Sequence, residues 1–296
     1  MGSLSFTAEE KDQGRQLKHV AAARLMMGRR LFSRIKFQNG LLVNGTAVHA
    51  DYRLLAGDVV TVLLPEDAHH AIPCRDIPID IVYEDADLLV VNKPAPLPSI
   101  SSAKKDQSTL ENALAARLGL NGNFVYRPVN RLDKGTSGLM VVARHAHAQQ
   151  RLQKQLHTPE FVREYLAVVE GIPNPPSGLI DMPIAKIEPA GVKRCVSPEG
   201  KESRTRYETI AVRGSRSLLR IRLDTGRTHQ IRVHMQWLGC PVSGDFLYGT
   251  ELPDLPGRFA LHAYRLHFCH PVTGEILTFT KPLPKELLRF WTDAGN

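Results

Sequence analysis

The chain has 296 residues, 43% of them hydrophobic, with a net charge of +8 and a pI near 9.4. Such a length and apolar content support one large domain and a small one, and exclude a disordered chain. The positive excess favours a polyanionic partner, nucleic acid before membrane, and no apolar run approaches the ~20 residues of a spanning helix.

The first ten residues lack the basic-then-apolar profile of a secretory signal. Cys74, Cys195, Cys240 and Cys269 lie far apart without a Cys-x-x-Cys pair, so reduced thiols and a cytoplasmic location are expected. Residues 14–65 read as a separate small module. Leu17, Val20, Ala21 and Leu25 recur at helical spacing; a second short helix is expected at 33–38, with Ser33 as N-cap and Gly40 as stop. Strands follow at 41–43 and 59–64, punctuated by Asn44-Gly45 and Gly57-Asp58. The helix pair would offer Lys18, Arg24, Arg29, Arg30, Arg34 and Lys36 to phosphates, contacts that position without reading sequence.

Residues 66–77, with a proline, two histidines and a cysteine, are a linker by composition. The larger domain, 78–296, opens with a hairpin of strands 79–83 and 88–92, the second running into Lys93-Pro94. A helix over 109–118 is capped by Ser108 or Thr109 and stopped by Gly119. Next comes Arg-Leu-Asp-Lys-Gly-Thr-Ser-Gly at 131–138, just before a buried apolar strand, 139–143. Asp133 sits on this tight loop between Arg131 and Lys134, with the Thr136 and Ser137 hydroxyls behind and Gly138 admitting a close neighbour.

A polar helix is expected at 146–157 and a strand bearing Tyr165 at 164–171. The stretch 178–200 reads as a long irregular loop in which Lys193 and Arg194 are candidates to grip RNA. Strands at 203–212 and 217–224 form a second hairpin; the run from Gly226 to Met235 enters a helix at 228–238, with Arg227 at its entrance. The strand run 260–271 holds His262, His267, Cys269 and His270. Alternation splits them between two faces and no second cluster completes a tetrahedral set, so no metal is expected. An amphipathic helix closes the chain at 285–292.

The motif Arg131-Leu132-Asp133-x-x-Thr136-Ser137-Gly138 resembles the signature of the RluA-type pseudouridine synthases, with Asn130 where many members have His. "Asn-Lys-Pro" at 92–94, Tyr165 with Ala167 and Gly171, "Gly-Arg-Thr-His-Gln-Ile-Arg" at 226–232 and "Leu-His-Ala" at 261–263 resemble further motifs of that family in the same order. The N-terminal module resembles the small RNA-binding module first seen in a ribosomal small-subunit protein, which such synthases often carry.

The resemblance implies an α+β fold: a mixed, mainly antiparallel catalytic sheet behind a small helix-helix-strand module. It implies isomerisation of uridine in structured RNA, ribosomal more than transfer RNA, by a monomer without cofactor. Asp133 would be the catalytic carboxylate, Arg227 its buried ion-pair partner, and Tyr165 the ring over the base. Arg131, Lys134, Thr136, Ser137, Gly138, His229 and Gln230 would bind substrate, with His229 and His234 as structural donors rather than acid–base groups. Whether Asp133 attacks C1′ or C6, or assists a glycal route, stays open. A non-catalytic RNA-binding factor and a two-carboxylate glycosidase are the alternatives; only one motif-embedded acid speaks for the latter.

Overall fold

The computed structural model describes residues 2–65, 72–101, 108–119, 124–187 and 191–292, with the side chains of residues 29 and 30 outside that description. The first part holds β1 (Ser3–Thr7), α1 (Leu17–Arg24), α2 (Arg29–Phe37), β2 (Leu41–Val43), β3 (Thr46–Ala47) and β4 (Val59–Leu63). Its four-stranded sheet runs β1-β4-β2-β3, with Leu17, Val20, Ala21 and Ile35 of the helices packed on Leu41, Val60 and Val62. β1 lies outside the 14–65 expected for the module, yet it pairs with β4 from Ser3–Leu63 to Thr7–Val59. The second helix starts at Arg29 behind Gly28, so Ser33 lies inside it rather than at its cap. The module touches the rest of the chain where the Gly28 amide donates to Gln150 Oε1 at 3.0 Å. The linker expected at 66–77 lies partly outside the described residues.

The larger part holds β5 (Asp80–Glu84), β6 (Leu88–Lys93), α3 (Leu110–Leu118), β7 (Arg127–Pro128), β8 (Ser137–Ala143), α4 (Ala146–Gln155), β9 (Val162–Glu170), β10 (Ser177–Asp181), β11 (Ile184–Lys186), β12 (Arg194–Val196), β13 (Arg204–Arg213), β14 (Arg216–Leu223), α5 (Gln230–Trp237), β15 (Leu261–Cys269), β16 (Ile276–Thr280) and α6 (Lys285–Thr292). Its ten-stranded sheet has the path β10-β13-β14-β9-β15-β8-β6-β5, with β16 on β15 and β7 on β8. Among the described residues β8 and β15 alone pair in parallel. The α+β, mainly antiparallel expectation is borne out.

The sheet is covered on both faces, which explains why every residue of β8 is buried instead of every second one. Met140 and Val142 face α3 and α5 through Leu110, Leu114, Ile231 and Met235. Leu139 and Val141 face Leu152 of α4, Phe161 and Phe268. Thr109 caps α3 by accepting from the Asn112 amide, as its sequence implied. The stretch 178–200 is not one irregular loop. β10 extends the large sheet beside β13, and β11 pairs with β12 in a small ribbon, with residues 188–190 outside the described set. Its short strands, with Pro183 between β10 and β11, give no sustained alternation to read from sequence.

Candidate active site

The loop between β7 and β8 and the start of α5 meet at one cavity of about 410 Å³. Asp133, Tyr165, Arg227, His229 and Arg232 all line it. Asp133 is held from below: Ser99 Oγ donates to the Leu132 carbonyl at 2.6 Å, and the Thr136 amide donates to the Asp133 carbonyl at 3.1 Å. Asn130 Oδ1 accepts from the Val141 amide at 2.8 Å, tying the loop's approach to β8. The carboxylate keeps about a quarter of its surface open to the cavity.

The guanidinium opposite Asp133 belongs to Arg232, not Arg227. Arg232 Nη1 donates to Asp133 Oδ2 at 3.1 Å, while its Nε and Nη2 grip Asp245 at 2.6 and 2.8 Å in a fork. The Phe259 ring lies 4.2 Å and the Tyr248 ring 4.9 Å from the guanidinium carbon. Burial disfavours this charge, but Asp245 and then Asp133 outweigh it and raise the arginine above its ordinary range. Arg227 precedes α5 and donates from Nε to the Glu202 carbonyl at 3.0 Å. The expected Arg227–Asp133 ion pair is therefore corrected. The helix begins at Gln230, two residues later than the pattern suggested, and its first turn presents Arg232 inward.

His229 adopts a left-handed backbone at φ 60°, bonds Tyr248 through Nδ1 at 2.8 Å, and brings Nε2 to 4.0 Å from Asp133. Burial lowers its pKa, against the pull of Asp133. Tyr165, 5% exposed, has its phenol pushed up by burial, with Arg163 opposing and Asp133 reinforcing that rise. It therefore stays protonated at neutral pH.

Several residues expected to touch substrate instead build the walls. Gln230 Oε1 accepts from the Arg227 amide and the Thr225 hydroxyl at 2.9 Å each, and its Nε2 donates to the Arg204 carbonyl at 3.0 Å. Ser137 Oγ bonds His262 Nδ1 at 2.9 Å and accepts from Arg258 at 3.1 Å. Gly138, at φ 113°, serves the sheet: a Cβ there would lie 2.3 Å from the Ala263 carbonyl of β15. Thr136 is buried yet lines the cavity, and Arg131 and Lys134 are exposed at its edge. His234 is a buried brace between Thr205 Oγ1 and the Met182 carbonyl.

Among the candidate RNA contacts, Arg24 is taken up inside its module. It pairs with Asp12 at 2.6 Å and Glu9 at 2.8 Å, so it is corrected from phosphate ligand to brace. Arg34 and Lys36 are exposed, whereas the Arg29 and Arg30 side chains lie outside the described residues. Arg194 caps the carbonyls of Gly191, Val192 and Lys193, and its amide donates to the Tyr248 hydroxyl at 2.9 Å. The small ribbon thus leans on the same tyrosine that flanks Arg232.

Sequence reasoning missed Arg232, Asp245, Tyr248 and the floor of the loop, Lys93. The Lys93 ammonium is fully buried and donates to the Leu97 carbonyl at 2.6 Å and the Pro94 carbonyl at 3.0 Å. Burial lowers its pKa to about 7, against the attraction of Asp133. The group Asp85, Asp87 and His270 clusters its ligand atoms within 4.8 Å. However, His270 Nδ1 accepts from the Val272 and Thr273 amides, which leaves Nε2–H to donate to Asp85 at 2.9 Å. That lone-pair inventory suits a hydrogen-bonded turn, not a metal.

A family model described as RNA pseudouridylate synthase matches residues 87–237. RNA pseudouridine synthase YlyB of Bacillus subtilis is 37% identical over 295 residues, covering 97% of this chain and 96% of its own. Ribosomal large subunit pseudouridine synthase D of Vibrio cholerae is 36% identical, covering 96% of this chain and 93% of its own. Among solved structures, human RNA pseudouridylate synthase domain containing 1 superposes with a TM-score of 0.57 at 29% identity, covering 69% of this chain and 83% of that one.

Proposed function

The chain belongs to the RNA pseudouridine synthases, of the RluA type, and from that premise we propose that it isomerises uridine in structured large-subunit ribosomal RNA, with Asp133 as the catalytic carboxylate. One observation carries the residue assignment: Asp133 and the Arg232 guanidinium meet at 3.1 Å on the wall of a cavity that Tyr165 also lines.

The reaction breaks the bond from ribose C1′ to uracil N1 and makes one to C5, with no net redox change, so the side chains suffice without a cofactor. Arg232 aims the Asp133 carboxylate, and Asp245 in turn fixes Arg232. Tyr165 offers its ring to a base turned out of its stack, an extrusion costing a few kcal/mol that basic contacts and stacking offset. The large-subunit assignment comes from the relatives' names and from the basic N-terminal module. A cytoplasmic setting suits that substrate, and among the described residues no helix is long and apolar enough to cross a membrane.

The test is tritium release from large-subunit ribosomal RNA transcribed with 5-tritiated uridine. Stoichiometric release at a small number of uridines is expected. No release from this RNA, with release from transfer RNA, would move the substrate assignment; none from either would support a non-catalytic binding factor.

A further inference from the structure

Arg163 stands two residues before Tyr165 on the same face of β9. It is 5% exposed and lines the same cavity. Its Nη2 makes one long hydrogen bond, 3.4 Å to the Thr225 carbonyl, and its Nε is buried without a partner. Among the described residues no carboxylate lies within ion-pairing distance, and the acid nearest in effect, Asp224, is engaged by Arg206 at 3.0 Å. Gly226 makes room for it, since a Cβ there would lie 2.8 Å from Arg163 Nη1. A buried cation with unused donors and no counterion is costly unless a ligand brings an acceptor.

We propose that Arg163 is a further catalytic residue, donating to a carbonyl oxygen of the extruded uracil and stabilising the negative charge that the base carries in mid-reaction. The proposal rests on the reading that this site isomerises uridine. When C1′–N1 breaks, the electron pair leaves with the base, and uracil holds the charge on N1, O2 and O4. When a carboxylate adds to C6 instead, the displaced pair moves to C5 and O4. A carbonyl oxygen gains charge on either route. On either route C1′–N1 is broken, C5 bonds to C1′, and the carboxylate leaves the carbon it had bonded; the C5 proton then leaves to solvent and N1 takes one up, so the base ends neutral and the carboxylate and guanidinium unchanged.

Depth selects the base over a phosphate. Arg131 and Lys134 are exposed at the cavity edge, where an RNA backbone would pass, whereas Arg163 is buried on the Tyr165 side. The Tyr165 phenol senses both Asp133 and Arg163. A nucleoside with C1′ at the carboxylate and its base on that ring directs a base edge toward the guanidinium.

The experiment measures single-turnover rates at saturating RNA for wild type, Arg163→Met and Arg163→Lys. The substrates are synthetic stem-loops with uridine, 2-thiouridine or 4-thiouridine at the modified position. Loss of one donor to a developing oxyanion predicts that Arg163→Met is ~100-fold slower on uridine, with RNA affinity unchanged. The wild type is expected to lose rate on one of the two sulfur substrates, because sulfur accepts a hydrogen bond weakly. Arg163→Met should be indifferent to that sulfur, Arg163→Lys should recover part of the rate, and neither Tm should fall. Equal sulfur penalties in wild type and Arg163→Met would overturn the proposal. So would weaker RNA binding at an unchanged rate, which marks a phosphate contact, or a lowered Tm with a matching loss on all three RNAs, which marks a structural brace. Wild-type turnover of the uridine stem-loop is the control: its absence would refute the isomerase reading instead.

Discussion

Arg227 and Arg232 lie five positions apart in one motif, and burial separates their consequences. Arg232 is 4% exposed in its side chain and bridges two carboxylates, one of them, Asp245, fully buried. Arg232→Ala leaves both unpaired and is expected to cost about 3–5 kcal/mol of stability, read from urea denaturation, besides abolishing turnover. Lysine would restore the charge but not the fork, so Arg232→Lys should recover stability more than activity. Arg227→Ala removes a hydrogen bond to the Glu202 carbonyl and should cost under about 1 kcal/mol. Equal losses from the two alanine variants would refute this division. Asp133 and Tyr165 were legible as members of a motif. Arg232 was not singled out, because the partner of a carboxylate depends on where a helix starts, and a two-residue error at the start of α5 turns a different arginine inward. The i, i+3 spacing of His229 and Arg232 is the signal that could have found it.

At the scale of elements, Lys93 clasps the end of β6 to the Asp133 loop. Its ammonium reaches the Pro94 and Leu97 carbonyls, and the Leu97 amide in turn donates to the Lys134 carbonyl at 2.9 Å. A lysine whose folded pKa is about 7 against 10.5 ordinarily binds fewer protons folded than unfolded between those values. Stability from this group therefore rises with pH across that window and is flat below it. The wild type should gain stability relative to Lys93→Met from about pH 7 to 10, with the two parallel below pH 6. A difference constant across the whole range would show that Lys93 keeps an ordinary pKa. The long strands and the helices with caps could be read from pattern. β10, β11, β12 and β16 could not, because short edge pairings are set by partners distant in sequence.

In the whole molecule, a basic module precedes a sheet whose parallel β8–β15 junction, Ser137–His262 and Gly138–Ala263, lies at the back of the Asp133 loop. Removing residues 1–70 should weaken RNA binding and flatten its salt dependence while the remaining sheet stays folded, since fewer phosphates would be neutralised. Unchanged affinity and salt slope would remove the module from RNA binding. Motif order announced the α+β class and composition the basic character, but neither shows that Arg24 is spent on Asp12 and Glu9 in the fold. Tritium release from 5-tritiated ribosomal RNA by Asp133→Asn, measured beside its RNA affinity, tests directly whether the Asp133 carboxylate is catalytic. Binding close to wild type with no release at any time point is the predicted result; sustained release by the variant would contradict it.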